Sequence, residues 1–567
     1  MSVVSLSNAS RSNLGLDDLR ELANKLNISI DDDEVANDYL RLLWSFEGIL
    51  NQVEDGEDYI HPALQPQAVS PSREYTRPTS EENPINAWSH CCSFRSTAPA
   101  DARLQGRTLA IKDNISVGGL PTTLGAPASI ASRDGVYKES PVDATIVSRL
   151  LAAGATIKGT TTCEFYCASP LSFTSATGPV HNPRLRGYTA GGSSSGSAAL
   201  VAAHGLAEPN AVLGETVELS VGTDQGGSVR IPASFNGIYG LKPTHGLIPY
   251  TGAASMSPMI DHLGVFAPTV DDIAVLLEVS AGYDGIDPRM TPESPLLGSV
   301  KPYSEMLAGF RQQLAQGLDL GRKWRIGLVT ESFAVPGVSP DVRDTVREAA
   351  KAFFAAAGAT VVDISIPMHT EGPLIWTAST RPSMSSWLCQ GKPTGHLSYL
   401  PPHFQSKWPL SKEDFDCITA LNPALGNIVL SEVFAQTKAP AWIEAKADRK
   451  AFQLRAAYDK ALESVDVLIT PCAPTIATPN PASVDSDGAA IPILERLQPA
   501  IGVISNTCPF NVSGHPAMSV PCGSSSHPEH PDVELPIGMQ IVGKRWADED
   551  VLYAAALFET GRAIVSK

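Results

Sequence analysis

Two clusters of serine and glycine, Gly191-Gly192-Ser193-Ser194-Ser195-Gly196-Ser197 and Gly222-Thr223-Asp224-Gln225-Gly226-Gly227-Ser228, dominate the chemistry this chain could perform. Serine supplies a compact hydroxyl, and glycine lets backbone approach a ligand closely. Such clusters suit a hydroxyl nucleophile with backbone amides aimed at an oxyanion. Gly226-Gly227-Ser228 can present consecutive N–H groups into one concavity. A third candidate, Lys112, ends the apolar run Leu109-Ala110-Ile111. A desolvated lysine has a lowered pKa and can act as a neutral base. Taken singly, each feature has a plainer reading: a turn for either cluster, a solvated strand end for the lysine.

The elements that would carry these residues alternate between strand and helix patterns. Thr108–Lys112 reads as a short strand, 144–156 as a helix closed by Gly154, and Thr156–Lys158 as a strand. The alternation returns at 323–329 (strand), 340–357 (helix) and 360–366 (strand), then at 441–465 (helix) and 466–470 (strand). This order predicts an α/β fold built on a mostly parallel or mixed sheet. Two amphipathic helices precede it. One carries Leu16, Leu19, Leu22, Ala23 and Leu26; the other follows Asp31-Asp32-Asp33-Glu34 and carries Tyr39, Leu40, Leu43, Phe46, Leu50 and Val53. They read as an αα-hairpin whose stripe needs a partner surface. Residues 54–86, rich in Pro, Glu, Ser and Thr, read as an extended linker. The predicted division is therefore an N-terminal hairpin and linker over 1–64 and a catalytic domain over 65–567. A loop-rich cap around 373–430 holds Trp376, Trp387 and Trp408, with aromatic rings available either for packing or for substrate.

Bulk properties narrow the partners. The 567 residues carry 42 basic and 60 acidic side chains, a net charge of −18 that opposes nucleic acid and anionic membrane. No apolar run is long enough to span a bilayer, and the N-terminus lacks a secretory pattern. Nine cysteines lack the paired spacing of a zinc site, the tightest sets being Cys91-Cys92 and Cys163-x3-Cys167. Free thiols in a reducing, cytoplasmic setting follow, with no metal and no cofactor implied.

Further short motifs accompany the clusters. They include Ala110-Ile111-Lys112-Asp113-Asn114, Val229-Arg230-Ile231-Pro232-Ala233, Gly240-Leu241-Lys242-Pro243-Thr244, Asn506-Thr507-Cys508-Pro509-Phe510-Asn511 and Gly538-Met539-Gln540. In this order the chain resembles the amidase signature family from about residue 65 onward. The pattern is most similar to bacterial nitrile-pathway amidases with an N-terminal helical extension. The resemblance implies a central mixed β-sheet covered by helices on both faces. It also implies a triad in which Ser228 is the nucleophile, Ser193 a bridging serine after a cis peptide, and Lys112 the base. The amides of Gln225, Gly226, Gly227 and Ser228 would form the oxyanion hole. Asp224 and Arg230 match a supporting pair, and Ser194 and Thr223 would add hydrogen bonds. The implied substrate is a small amide, and the helical extension implies a homodimer.

Two departures from the family pattern stand out. Ser195 occupies a position where glycine is usual. The connection between the clusters is lengthened around 207–219, which could reshape the rim of the site or disturb the two serines. Three other readings compete: a carbamate or ester hydrolase of the same family, a glutaminase-type amidotransferase component, and a catalytically dead homologue. The run Gly192-Ser193-Ser194-Ser195-Gly196 also fits GxSxG, but an irregular segment precedes it where an α/β-hydrolase needs a strand. His181, His262 and His515 are read as structural.

Overall fold

The computed structural model describes residues 12–206, 213–317, 321–393, 397–484 and 486–567. Its contacts divide it into two units, before and after the His61–Pro62 junction. In the first, helices Leu16–Lys25 and Asp33–Glu54 form the hairpin. Asp32 caps the longer helix by accepting from the amides of Glu34 and Val35 at 2.8 and 3.1 Å. Leu19, Ala36 and Leu40 make its small core, and the Trp44 indole donates to Leu14 O at 2.9 Å. Much of the apolar stripe stays outside that core: Leu22, Leu26, Tyr39, Phe46, Leu50 and Val53 are exposed.

The second unit is built on one large sheet. Numbered in chain order, the strands are Val69–Ser70 (β1), Tyr75–Thr76 (β2), Trp88–Ser96 (β3), Thr108–Lys112 (β4), Thr156–Thr161 (β5), His181–Asn182 (β6), Leu185–Thr189 (β7), Leu219–Asp224 (β8), Tyr239–Lys242 (β9), His262–Ala267 (β10), Arg325–Val329 (β11), Thr360–Ile364 (β12), Val467–Pro471 (β13), Ala517–His527 (β14) and His530–Val542 (β15). All but β6 and β7 join it, in the order β1-β3-β5-β4-β8-β10-β9-β14-β15-β13-β11-β12 with β2 on β3. The sheet is mixed. Strand β4 runs parallel to β5 and β8, and β11 runs parallel to β12 and β13, while the other pairs are antiparallel.

Strand periodicity sends alternate residues to opposite faces. Leu109 and Ile111 enter one apolar cluster and Ala110 another; Val467 and Ile469 separate from Leu468 in the same way. Helices Thr145–Ala152, Val270–Ser280 and Asp548–Val565 supply the first cluster. Helices Ser195–His204 and Ile443–Ala461 supply the clusters across the sheet.

Two expectations change. The supposed linker contributes β1 and β2 to the sheet edge through pairing with β3. Two-residue strands are too short to leave a period in the sequence. The region 373–430 combines helices Gly372–Thr380, Met384–Leu388, Lys412–Leu421 and Pro423–Lys438 with a stretch between Leu388 and Lys412 that holds no helix among its described residues. Pro373 and Pro423 lie in first turns, where a missing N–H is harmless, so they start helices instead of breaking them.

Helix Ser195–His204 meets the sheet through Gly196. A Cβ there would lie 2.2 Å from Ala87 O and 2.9 Å from Thr162 O. Gly196→Ala is therefore expected to destabilise the protein by about 1–3 kcal/mol, the usual range for overpacking. Thermal denaturation checks this, and an unchanged Tm would refute the close approach.

Candidate active site

Strands β4 and β8 are parallel neighbours, so their C-terminal ends lie side by side. Ligand sites of α/β sheets form at such ends. Lys112 closes β4 and is fully buried. Its Nζ donates to Ser193 Oγ and to Thr223 Oγ1, both at 2.9 Å. Asn114 Nδ2 also donates to Thr223 Oγ1, at 3.1 Å, which fixes the hydroxyl on the far side of the lysine.

The loop bearing Ser193 is held from several directions. The Gly192–Ser193 peptide is cis. Gly191 has φ +74°, and a Cβ there would lie 2.8 Å from Pro232 Cα. Ser194 joins the two clusters: its amide donates to Ser228 O at 3.3 Å and its hydroxyl to Thr223 O at 3.2 Å. Ser195 is accommodated without a left-handed backbone, and its Oγ donates to Glu164 Oε1 at 2.9 Å. The other Glu164 oxygen accepts from the Thr174 amide and hydroxyl, each at 2.7 Å. Burial nevertheless pushes the Glu164 carboxyl up to about 7. Asp113, beside Lys112, is likewise raised to about 7 by burial. It accepts from Ser89 Oγ at 2.6 Å, the Thr123 amide at 3.0 Å and the Thr123 hydroxyl.

The loop bearing Ser228 is organised by a buried ion pair. Arg230 Nε and Nη2 reach Asp224 Oδ2 and Oδ1 at 3.0 and 2.7 Å, with both side chains fully enclosed. Arg230 also donates to Thr507 O, Gln540 Oε1 and Asn511 Oδ1 at 2.9, 2.7 and 2.6 Å. Burial alone would raise the Asp224 carboxyl, but the Arg230 charge and hydrogen bonds prevail and hold it well below the usual range. Asp224 further accepts from the amides of Gly227 and Val229 at 2.8 and 3.0 Å.

Those contacts sort the backbone amides. Gln225 O accepts from Trp376 Nε1 at 2.7 Å, Gly226 O from Thr507 Oγ1 at 2.6 Å, and Gly227 O from Ile231 N at 2.7 Å. The amides of Gln225, Gly226 and Ser228 have no partner among the described residues. The Gly227 amide differs from the expectation of four oxyanion donors, because Asp224 already engages it. Gly227 itself has φ +135°, and a Cβ there would sit 2.4 Å from Thr507 Oγ1.

Ser228 opens onto a cavity of about 310 Å³ lined mainly by apolar side chains such as Met256, Trp376, Met384, Ile428 and Ile504. It is 9 % exposed while Ser193 is fully enclosed, so the cavity admits a ligand to Ser228 but not to Ser193. Ser228 Oγ makes no hydrogen bond with a described side chain. Cys167, read from sequence as an ordinary thiol, also lines this cavity. The Cys163 thiol bonds it, and Lys112 and Ser193 add to the effect. Cys167 is therefore held below the ordinary thiol value and Cys163 above it. His181, His262 and His515 do not line the cavity. His262 meets Ile260 O at 2.8 Å and His515 meets Asp459 at 3.0 Å. No group of three or more His, Cys, Asp or Glu side chains among the described residues could hold a metal ion.

Sequence reading missed Glu164, Thr507, Asn511 and Gln540 as individual contributors, although three of them lie in motifs quoted above. Of the lengthened connection, 207–212 lies outside the described residues. Its remainder, Leu213–Glu218, sits at the N-terminal ends of the strands. There Glu218 Oε2 accepts from the Thr108 amide at 2.9 Å, and Glu215 O accepts from Trp88 Nε1 at 2.8 Å. Strand β8, six residues or roughly 20 Å long, separates this flank from Ser228. The described flank therefore takes no part in the site rim.

Comparison with known proteins follows the same lines. The Amidase family model matches residues 93–552. An enantioselective amidase of Rhodococcus rhodochrous is 36% identical over 516 residues, covering 89% of this chain and 88% of that protein. A glutamyl-tRNA(Gln) amidotransferase component from Koribacter versatilis is 32% identical over 511 residues, covering 87% and 94%. The solved peptide amidase of Stenotrophomonas maltophilia superposes with a TM-score of 0.60 at 25% identity, covering 81% and 83%. No helix among the described residues is long and apolar enough to cross a membrane.

Two outcomes follow from the buried carboxyls. Asp224→Ala strands the Arg230 charge and is expected to destabilise the protein by about 3–5 kcal/mol, measured by denaturant titration. For Glu164, a folded-state pKa raised from 4.5 to about 7 means that the native state holds the proton more tightly. The stability this lends is complete below about pH 4.5 and is lost as pH climbs through 7. Glu164→Gln is expected to flatten the fall of Tm across that window, and parallel curves for the two proteins would contradict the assignment.

Proposed function

The chain belongs to the amidase signature family and acts on amides, and we propose that it hydrolyses a small amide through an acyl-enzyme on Ser228. The observation that carries this reading is the buried contact of Lys112 Nζ with Ser193 Oγ at 2.9 Å, behind a Ser228 that faces the cavity. As substrate enters, Ser228 turns toward Ser193; catalytic hydrogen bonds often tighten only in the complex. Ser228 Oγ attacks the carbonyl carbon and passes its proton to Ser193 Oγ, whose own proton moves to a neutral Lys112. The new oxyanion faces the amides of Gln225, Gly226 and Ser228. When the C–N bond breaks, the relay runs backward and protonates the leaving nitrogen. Water then attacks the acyl group, gives a proton to the relay, and releases the carboxylate as Ser228 Oγ regains hydrogen. No metal or cofactor enters these steps. Carbamates and esters would undergo the same acyl transfer.

The relatives named as components of glutamyl-tRNA(Gln) amidotransferase favour a second reading, a glutaminase that serves a partner protein. The net charge of −18 disfavours a surface for tRNA. For the first reading, a homodimer formed through the exposed hairpin stripe and a cytoplasmic setting complete the proposal.

A fluorophosphonate probe is expected to label Ser228, and Ser228→Ala to abolish both labelling and amide hydrolysis. Ser194→Ala should keep most activity. Lys112→Met should lower kcat/KM by about 10²–10⁴-fold. Absence of an adduct on Ser228, or full activity in Lys112→Met, would sink the assignment. Ammonia release from glutamine that appears only with partner proteins would favour the second reading.

A further inference from the structure

One cation in the Ser228 cavity has no counter-charge among the described residues. Arg381 follows helix Gly372–Thr380, where its amide caps the helix by donating to Thr377 O at 2.9 Å. Its guanidinium makes no hydrogen bond or ion pair with any described residue, and Nε is enclosed without a partner. Other enclosed arginines among the described residues engage at least part of the guanidinium, even where Nε, as in Arg289 and Arg496, also lacks a partner. Arg289 pairs with Asp261 and Asp287, both at 3.0 Å, and Arg149 donates to the carbonyls of Ser280 and Ala281 at 2.6 and 2.9 Å. Burial acts on Arg381 with no carboxylate to offset it. Among the described residues lining the cavity, Arg381 is the only Arg, Lys, Asp or Glu.

A largely buried, unpaired guanidinium is unfavourable unless a ligand completes it. Its planar fork matches a carboxylate with two parallel hydrogen bonds. An apolar wall around the pair keeps water from weakening it. We propose that the cavity takes amides carrying a carboxylate, with Arg381 binding that carboxylate while the amide carbonyl meets Ser228. The inference rests on the amidase reading and names its substrate class.

Helix geometry sets the scale of such a substrate. Trp376, which holds Gln225 O, and Arg381 are five positions apart, or about 7.5 Å of helix rise. Ser228 and Arg381 line the same cavity, and an aromatic ring or a short alkyl chain is the simplest spacer between an amide at one and a carboxylate at the other. The cavity volume of about 310 Å³ and its apolar lining suit such a spacer. The net charge of −18 opposes anions at long range, but salt screens that field beyond about 8 Å and leaves the local cation dominant inside the cavity.

The test uses matched pairs: benzamide against the monoamide of terephthalic acid, and hexanamide against the monoamide of adipic acid. Its readout is the ratio of kcat/KM, charged over neutral. The wild type is expected to favour the carboxylated partner at least tenfold in one pair. Arg381→Met should bring that ratio to one or below, and Arg381→Lys should keep part of it, which separates lost recognition from a damaged fold. A wild-type ratio of one or less in both pairs, or an Arg381→Met ratio equal to that of wild type, overturns the proposal. Calorimetric binding of terephthalate to the Ser228→Ala protein, with and without Arg381→Met, needs no turnover. Arg381-dependent binding without hydrolysis of any amide would refute the amidase reading alone. Hydrolysis of neutral amides without preference for the charged partner would refute the carboxylate site alone.

Discussion

The ion pair between Asp224 and Arg230 is the constraint on which the rest of this site is built. A carboxylate and a guanidinium removed from water need every lone pair and every N–H satisfied. The protein meets that demand by drawing in the amides of Gly227 and Val229, the carbonyl of Thr507 and the side chains of Asn511 and Gln540. The last three come from β15 and from the segment around helix Cys508–Ser513, far away in sequence. Satisfying the pair thus assembles the loop that presents Ser228. It also decides which amides remain open, since engaging Gly227 leaves its neighbours unpartnered.

The sheet supplies the second half of the arrangement. Parallel pairing of β4 with β8 places Lys112 and Thr223 at adjacent strand ends, and helix Ser195–His204 carries Ser193 in from the side. Gly196 allows that helix to approach the backbone of Ala87 and Thr162. Lys112 consequently lies between two hydroxyls that neither loop could position alone.

Much of this was legible in the sequence, for a physical reason. Lys112, Ser193, Ser228, Asp224 and Arg230 sit in short stretches where backbone demands, such as the positive φ of Gly191 and Gly227, restrict residue choice within a few positions. The strand–helix alternation likewise marked β4, β5, β11, β12 and β13. What stayed hidden depends on long-range contact. Glu164 receives the Ser195 hydroxyl across 31 positions, and Thr507 reaches Gly226 across 281. Neither pairing leaves a local pattern. The helices between 372 and 438 were obscured by prolines that turned out to begin them, and β1 and β2 were too brief to show a period.

The indole of Trp376 touches Gln225 through one hydrogen bond, yet it makes the helix Gly372–Thr380 a support of the Ser228 loop as well as a wall of the cavity. The two duties share one rigid element. A change on that helix that widens or narrows the cavity also shifts the backbone of Gln225, three residues before Ser228. The shape of the cavity and the setting of Ser228 are therefore coupled in this scaffold. New substrate ranges are more accessible to evolution at lining residues on other elements, such as Met256 and Ile428.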